Sequence, residues 1–448
     1  VPVDPGAEVQ PSAAAAAPQA SANPEGFNLS EALRGSGPAM SSAEAAQRAA
    51  KTAPSVAKVE AAARRAEAAA DQANVALYPR LELEARYTRL SKITPPPALA
   101  GLIKVQEDQG LFQARLSYPV SSLFFSIIPK HKAALKAAEA QKLQSRIEGQ
   151  TVGLRTREAY YNYARARAQR MVANAALAQT EAHRRDSEAL VNAGSIARVE
   201  LMRADAQVAA AKVAVARADF AVTSARSAFY TLVHVDGADD ITVSENLEEE
   251  PPAPQEDENA LLARALERRS EIKALRIMTE AQEHTIDGLQ GQQLPNVVVG
   301  GTAEYADPNQ RAFGSYKQWK ASWAAYAALI WSPNDTGAAG AQIDQARADL
   351  AQTLADLQSL QDALRVEVSQ AYNGYASAHS ALEASRVGIL AAEESYRVRR
   401  EQFRAGAAIA VDVLDSEAQL RQARLDLVNA LIDTRIARAR VDRVSESQ

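Results

Sequence analysis

The elements that can be read from this sequence occur twice, in the same order and roughly 200 residues apart, and that duplication restricts the fold more than any other feature. AYYNYA, with Tyr160 and Tyr163, returns as AYNGYA, with Tyr372 and Tyr375. NAGSIARVELMRADAQ returns as RAGAAIAVDVLDSEAQ, with Gly194 facing Gly406 at the same offset. YPRLELEARY around Pro79 matches LPNVVVGGTAEY around Pro295 at nearly that offset. A period this long is no solenoid repeat. It marks two copies of one unit, residues 38–243 and 260–448, behind a flexible Pro/Ala-rich leader (1–37). An acidic, Pro-rich linker (244–259) joins them.

Each copy reads as helix, strand, loop, strand, long helix, sharp break, helix. In copy one a helix runs from about Ser55 to Leu77 and Pro79 ends it. LELEARYT then alternates, with Leu81, Leu83, Ala85 and Tyr87 opposed to Glu82, Glu84, Arg86 and Thr88. After a Pro-rich loop (Thr94 to Pro97), Phe112, Ala114, Leu116 and Tyr118 alternate with Gln113, Arg115 and Ser117. These strands form a hairpin at about 80–119, and copy two places its own at about 296–332. There Val297, Val299, Ala303 and Tyr305 share one face, as do Trp319, Ala321, Trp323, Ala325, Leu329 and Trp331. Such alternation fits a transmembrane barrel strand, with a soluble half-buried hairpin as the plain alternative.

The helices shift that balance. No proline falls between Pro129 and Pro251, so one helix can run from about Lys130 to Asn192 and a second from about Ala197 to Leu232. In the second, Leu201, Val208, Val215, Val222 and Phe229 are seven apart, with Ala204, Ala211, Ala218, Ala225 and Leu232 three residues after each. A sustained seven-residue period means a left-handed coiled coil. Copy two keeps Val413, Leu420, Leu427 and Val441 in register. The helices before the hairpin and after the break, end to end, match the long helix in length, so both pair along it. Four strands cannot close a barrel and open edges are not tolerated in lipid, so closure requires several chains; three would give twelve strands.

Composition narrows the function. The 448 residues hold 50 basic and 55 acidic side chains, and a net charge of -5 gives no footing for nucleic acid. With no cysteine, disulfides, thiolate metal sites, cysteine nucleophiles and lipid attachment at a cysteine of this chain are excluded. His131, His183, His234, His284 and His379 are scattered, and none pairs with another at metal-ligand spacing. No run of apolar residues reaches the roughly 18 that a transmembrane helix needs. The start at Val1 shows no signal-peptide pattern, and the reading adopted is that a signal has been removed. No P-loop, dinucleotide fingerprint or nucleophile elbow is present, so neither an enzyme nor a cofactor is expected.

FRAGAAIAVDVLDSEAQLRQARLDLVNALID (Phe403 to Asp433), the YPR and LPN turns into the strands and the paired Ala-Gly breaks together resemble the TolC-like outer-membrane efflux protein family, over roughly residues 40–445. The resemblance implies a mixed α+β, mainly α fold: a homotrimer whose α-helical barrel crosses the periplasm and continues into a 12-stranded transmembrane β-barrel, four strands per chain. It implies an equatorial belt that includes the linker, and a place in the outer membrane of a Gram-negative bacterium. The duct would be passive, for efflux or type I secretion, with a periplasmic adaptor, an inner-membrane transporter and outer-membrane lipid as partners. A soluble periplasmic coiled-coil scaffold is the competing reading, but it gives no reason for Trp319, Trp323 and Trp331 on one strand face.

The resemblance also assigns residues. Asp412 and Asp415, at i and i+3, match the two aspartates of the narrow closed end, and Glu200 stands at the copy-one position equivalent to Asp412. Stacked acidic rings attract cations; the plain alternative is helix-start acids favoured by the macrodipole. Phe403 and Ala408 stand where the family's best-known member has a tyrosine and an arginine, so that gate latch is not kept whole; Phe403 is grouped with the gate, and Arg198 or Arg404 could take over the missing cation. Ala193, Gly194, Ala405 and Gly406 form the tips that would dock the adaptor. Arg184 and Arg185, with Arg397, Arg399, Arg400 and Arg404, are either part of that surface or solvated helix faces. Tyr87, Tyr118, Tyr305, Trp319, Trp323 and Trp331 would anchor the barrel at the membrane interfaces.

Overall fold

The computed structural model describes residue 29 and residues 33–93, 106–235, 240–312 and 318–445; the Pro-rich loop from Thr94 to Pro97 lies outside them. The chain opens with β1 (Ala39–Met40), α1 (Ser42–Thr52), α2 (Pro54–Val75), β2 (Arg80–Arg89) and β3 (Asp108–Pro119). A helical stretch, Val120–Ser122, and a π-helical turn, Leu123–Ile127, lead into α3 (Ile128–Asn192), and α4 (Arg198–Val233) follows the first tip. After β4 (Thr242–Val243) come α5 (Glu258–Arg268), α6 (Ser270–Gln292), β5 (Asn296–Asp307), β6 (Lys320–Ile330), α7 (Pro333–Arg404) and α8 (Ala410–Val444).

The helices pair as their lengths demand. The 65 residues of α3 extend about 98 Å. α1 and α2 pack along one part of it and α4 along the rest; α6 and α8 share α7 in the same way. On α4 the seven-residue seam faces inward: Val208, Val222 and Phe229, with Ala204 and Ala211, are buried. α3 also packs on α6 and α8, which joins the copies side by side. The π turn inserts its extra residue where the strand hands over to the helix, a point no hydrophobic period reveals.

β2, β3, β5 and β6 form one antiparallel sheet in that order, so the two hairpins sit edge to edge through β3 and β5. β2 and β6 are its open edges.

The principal core lies midway along the helices. β1 pairs in parallel with β4. Around them Tyr160 and Tyr163 of α3, Phe229 of α4 and Ile241 are almost fully buried, and Tyr160 donates to the Met40 carbonyl at 2.9 Å. Two segments read as loose are bound here. The leader drawn through residue 37 places Leu29 and Leu33 in this core, while Gly35 N–H donates to Thr242 Oγ1 at 2.9 Å and Arg167 to the Arg34 carbonyl. The other members of that core come from distant parts of the chain. The acidic linker is strapped down: Glu245 accepts from Ser42 N–H at 2.6 Å and Tyr161 at 2.9 Å, and Arg435 and Arg438 donate to the carbonyls of Glu249 and Pro252, each at 2.6 Å.

Leu29→Ala and Leu33→Ala should therefore each cost about 2–4 kcal/mol, as buried leucines do. An earlier thermal midpoint for both variants is the expected result; wild-type melting would remove these residues from the core.

Candidate functional site

The sheet is two-faced. Register places Leu83, Ala114, Ala303 and Trp323 in one row and Ala85, Phe112, Tyr305 and Ala321 in the next, all on the same face. Leu81, Leu116, Gly301 and Ala325 form a third row. Among the described residues nothing covers them: Leu83 is 74% exposed, Trp323 75% and Leu329 71%. The opposite face carries Glu82, Glu84, Arg86, Gln113, Arg115, Thr302, Glu304 and Ser322. A continuous exposed apolar face backed by a polar one is the pattern of a barrel with lipid outside and water inside.

Aromatic side chains mark both ends of the apolar face. At the loop end Trp319 stacks on Tyr305 with centroids 5.1 Å apart and leans on Phe112 at 5.6 Å. Its ring covers Gly110, where an added Cβ would come within 2.3 Å of it and displace the indole. Tyr87 donates to Asp108 at 2.7 Å at the same end. At the helix end Trp331 is 58% exposed, and Tyr118 donates to the Leu77 carbonyl at 3.1 Å. Twelve residues separate Trp319 from Trp331. That is about 40 Å along a strand and about 28 Å across a membrane at a tilt of about 45°. Trp323 lies inside the apolar band rather than at its rim.

The tips lie at the other end of the long helices and share one geometry. Gly194 has φ 73° and Gly406 φ 74°. Ser195 N–H donates to the Leu190 carbonyl at 2.9 Å and Gly194 N–H to Val191 at 3.0 Å. Ala407 to Gln402 (2.8 Å) and Gly406 to Phe403 (3.0 Å) repeat both bonds. These are Schellman caps, with Ala193 and Ala405 as the last right-handed residues. The next helices start at Arg198 and Ala410 without a side-chain cap, so the Glu200 and Asp412 carboxylates in their first turns meet uncapped N–H groups.

The acids differ between copies. Glu200 forms an ion pair with Arg203 at 3.1 Å, so its charge is answered one turn away. Asp415 replaces that arginine, and among the described residues neither Asp412 nor Asp415 has a side-chain hydrogen bond or ion pair. Asp412 is half-buried and Asp415 exposed.

Phe403 is not part of this acidic surface. Its ring is 4% exposed and lies 5.2 Å from the His183 imidazole of α3, in a cluster with Tyr396, Val413 and Leu420. It is a packing residue that joins the tips. Burial pushes the His183 pKa down against the pull of Asp186 and Glu200. Of the two candidate cations, Arg404 pairs across the tips with Asp186 at 3.1 Å. Arg397 is taken up by Glu394 and Glu401 of its own helix, and Arg184 by Glu188 and Asp205, as in solvated helix faces. Glu417 and Arg424 are not singled out by the sequence pattern, since neither stands at a seam position, yet both are buried on the helix side that carries Val413 and Leu420.

The profile of the family described as outer membrane efflux protein matches residues 45–233 and 261–445. No curated protein matches the sequence. Among solved structures, the outer-membrane channel OprN superposes with a TM-score of 0.76 at 18% identity, covering 90% of this chain and 89% of that one. The Campylobacter jejuni CmeC outer-membrane channel gives 0.77 at 14% identity, with 99% and 94% covered. The open state of the Neisseria gonorrhoeae MtrE outer-membrane channel gives 0.75 at 17%, with 95% and 93% covered. These likenesses establish the fold.

The positive φ at the tips yields a direct test. Gly194→Val and Gly406→Val should destabilise their turns by about 1–2 kcal/mol, whereas Asn, which tolerates the left-handed region, should cost less. Faster amide exchange in the last turns of α3 and α7, in that order of severity, is expected; equal exchange in Val and Asn variants would refute the strain.

Proposed function

The chain belongs to the outer membrane efflux protein family, and from that premise we propose that three copies close one passive duct, which carries efflux or type I secretion cargo from the periplasm across the outer membrane. The uncovered apolar face spanning all four strands carries this reading, because only lipid outside and sheet closure between chains satisfy it together. Three four-stranded sheets joined β2 to β6 make twelve strands and leave no edge.

The helices support the same closure. α4 carries a second seven-residue series, Val199, Ala206, Val213 and Phe220, turned away from α3. Val199 is 50% exposed, Val213 52% and Phe220 75%. A second seam on a coiled-coil helix calls for a second neighbour, which the adjacent subunit supplies. The six strand-to-helix transitions of the trimer would surround one lumen, lined in the membrane by the polar sheet face. A soluble scaffold offers no cover for either apolar surface.

At the periplasmic end Asp412 and Asp415 of three chains would form two stacked acidic rings, with the Ala193-Gly194 and Ala405-Gly406 turns outermost to meet a periplasmic adaptor coupled to an inner-membrane pump. The duct supplies no chemistry; the pump supplies energy.

Two experiments test the assignment. Ala325→Arg, on the apolar face, should disfavour insertion by about 2–4 kcal/mol, while Ala324→Arg, on the polar face, should assemble normally. Heat-modifiable oligomer in the outer-membrane fraction reports both, and equal assembly would overturn the assigned facing. In planar bilayers Asp412→Ala with Asp415→Ala should weaken block by divalent cations about tenfold, equivalent to about 1.4 kcal/mol of lost binding. Undiminished block would remove the acidic rings and leave the duct.

A further inference from the structure

Taking the tips as the gate, we propose that Glu417 is a proton-operated latch of the second tip: its neutral carboxyl lets α8 lie tightly on α7, and its ionisation loosens that seam and favours the open duct. The argument rests on a comparison of the copies. In the first tip Arg184 of α3 donates to Asp205 of α4 at 2.6 Å and to Glu188 at 3.1 Å. The positions equivalent to Arg184, Asp205 and Glu188 in the second tip hold Tyr396, Glu417 and Arg400. The acid is retained, its arginine has become a tyrosine, and the site has moved indoors. Asp205 is exposed, whereas Glu417 is only 7% exposed and its Oε1 is buried without a hydrogen-bond partner. Val413 and Leu420, both 1% exposed, flank it on the same helix face.

The surroundings hold Glu417 without satisfying it. From α7 comes Arg400; Tyr396 of that helix lies in the apolar cluster with Val413 and Leu420, and Glu393 is drawn to Arg424, at 3.8 Å. From its own helix comes Arg421. A cavity of about 250 Å³ between α3, α7 and α8 is lined by Tyr396, Arg400 and Arg424, with Gln179 and Ala182 on the α3 side. His183, next to Ala182, is turned onto Phe403. Arg400, the α7 cation that pulls on Glu417, thus itself borders open space. Burial pushes Glu417 up to about 7, with Arg400 and Arg421 pulling the other way. A buried carboxylate without a full set of partners resists ionisation. The packed tip thus binds this proton more tightly than a loosened tip in which Glu417 is solvated. By linkage, its advantage is complete below the ordinary carboxylate value and is lost as pH rises through about 7. A difference of that size limits the pH bias to about 300-fold.

The test uses the full-length oligomer in planar bilayers, with difference infrared spectroscopy on the same preparations. Wild-type open probability should rise about tenfold between about pH 5 and about pH 8.5, inside that limit. Glu417→Gln should hold the acid-side value throughout. Tyr396→Arg, which returns the missing cation, should also remove the pH response. In the infrared, a protonated carboxyl band should disappear near neutral pH in wild type and be absent from Glu417→Gln and Tyr396→Arg. A pH response that survives Glu417→Gln, a wild type without one, or the lack of a titrating band each overturns the latch. If no variant conducts although the band titrates as described, the duct reading has failed and the carboxylate's titration stands.

Discussion

Two strand edges without partners dictate the rest of this molecule. Along β2 and β6 each outward N–H and C=O needs a partner that lipid cannot supply, at several kcal/mol per group. The single chain is therefore an arc of wall whose stable form is a closed ring. The helices inherit that geometry. Each long helix is covered lengthwise by shorter ones within the chain, and the second seam on α4 faces outward to the next arc. Sheet and helices are incomplete in the same direction, around the ring, and one assembly step satisfies both.

The duplication preserved the backbone and released the side chains. The two tips share their cap bonds to within about 0.1 Å and their glycine φ to within a degree, because a reversal of this tightness admits few alternatives. Charge was free to diverge. In copy one the acids are answered, Glu200 by Arg203 and Asp205 by Arg184. In copy two the corresponding bases have become Asp415 and Tyr396. Uncompensated negative charge is thus concentrated in one of two nearly identical structures. A symmetric pair of tips could respond to a cation or a proton only together; this pair can respond separately.

Periodic features were legible in the sequence. Alternation in LELEARYT marks the strand, the spacing from Leu201 to Phe229 marks the buried seam, and Gly194 and Gly406 mark the turns, because each reflects a local backbone period or a φ that few residues accept. Contacts at long range were not legible. Leu29 and Leu33 looked like leader, and Glu245 looked like linker, because the core and the hydroxyls that hold them are contributed by distant helices. Phe403 was assigned by alignment of position to the gate, and its burial depends on His183 across the copies. Glu417 is the instructive omission: it lies one position beyond the seam residue Ser416, where copy one carries the exposed Asp205, so no local period announces its burial.

The strengths of these contacts also indicate where the tips can part. Within the second tip, Val413 and Leu420 are 1% exposed and Phe403 4%, so separating α7 from α8 would expose apolar surface worth roughly 1.5–3 kcal/mol per side chain. Between the tips stand the Arg404–Asp186 pair, half-exposed and worth about 0–1 kcal/mol, the contact of Phe403 with the His183 ring, and the partly buried Leu190 against the same cluster. Opening between copies is therefore cheaper than opening within one. The buried carboxylate sits on the costlier seam, where a modest change in packing shifts the surface that Phe403 offers to His183.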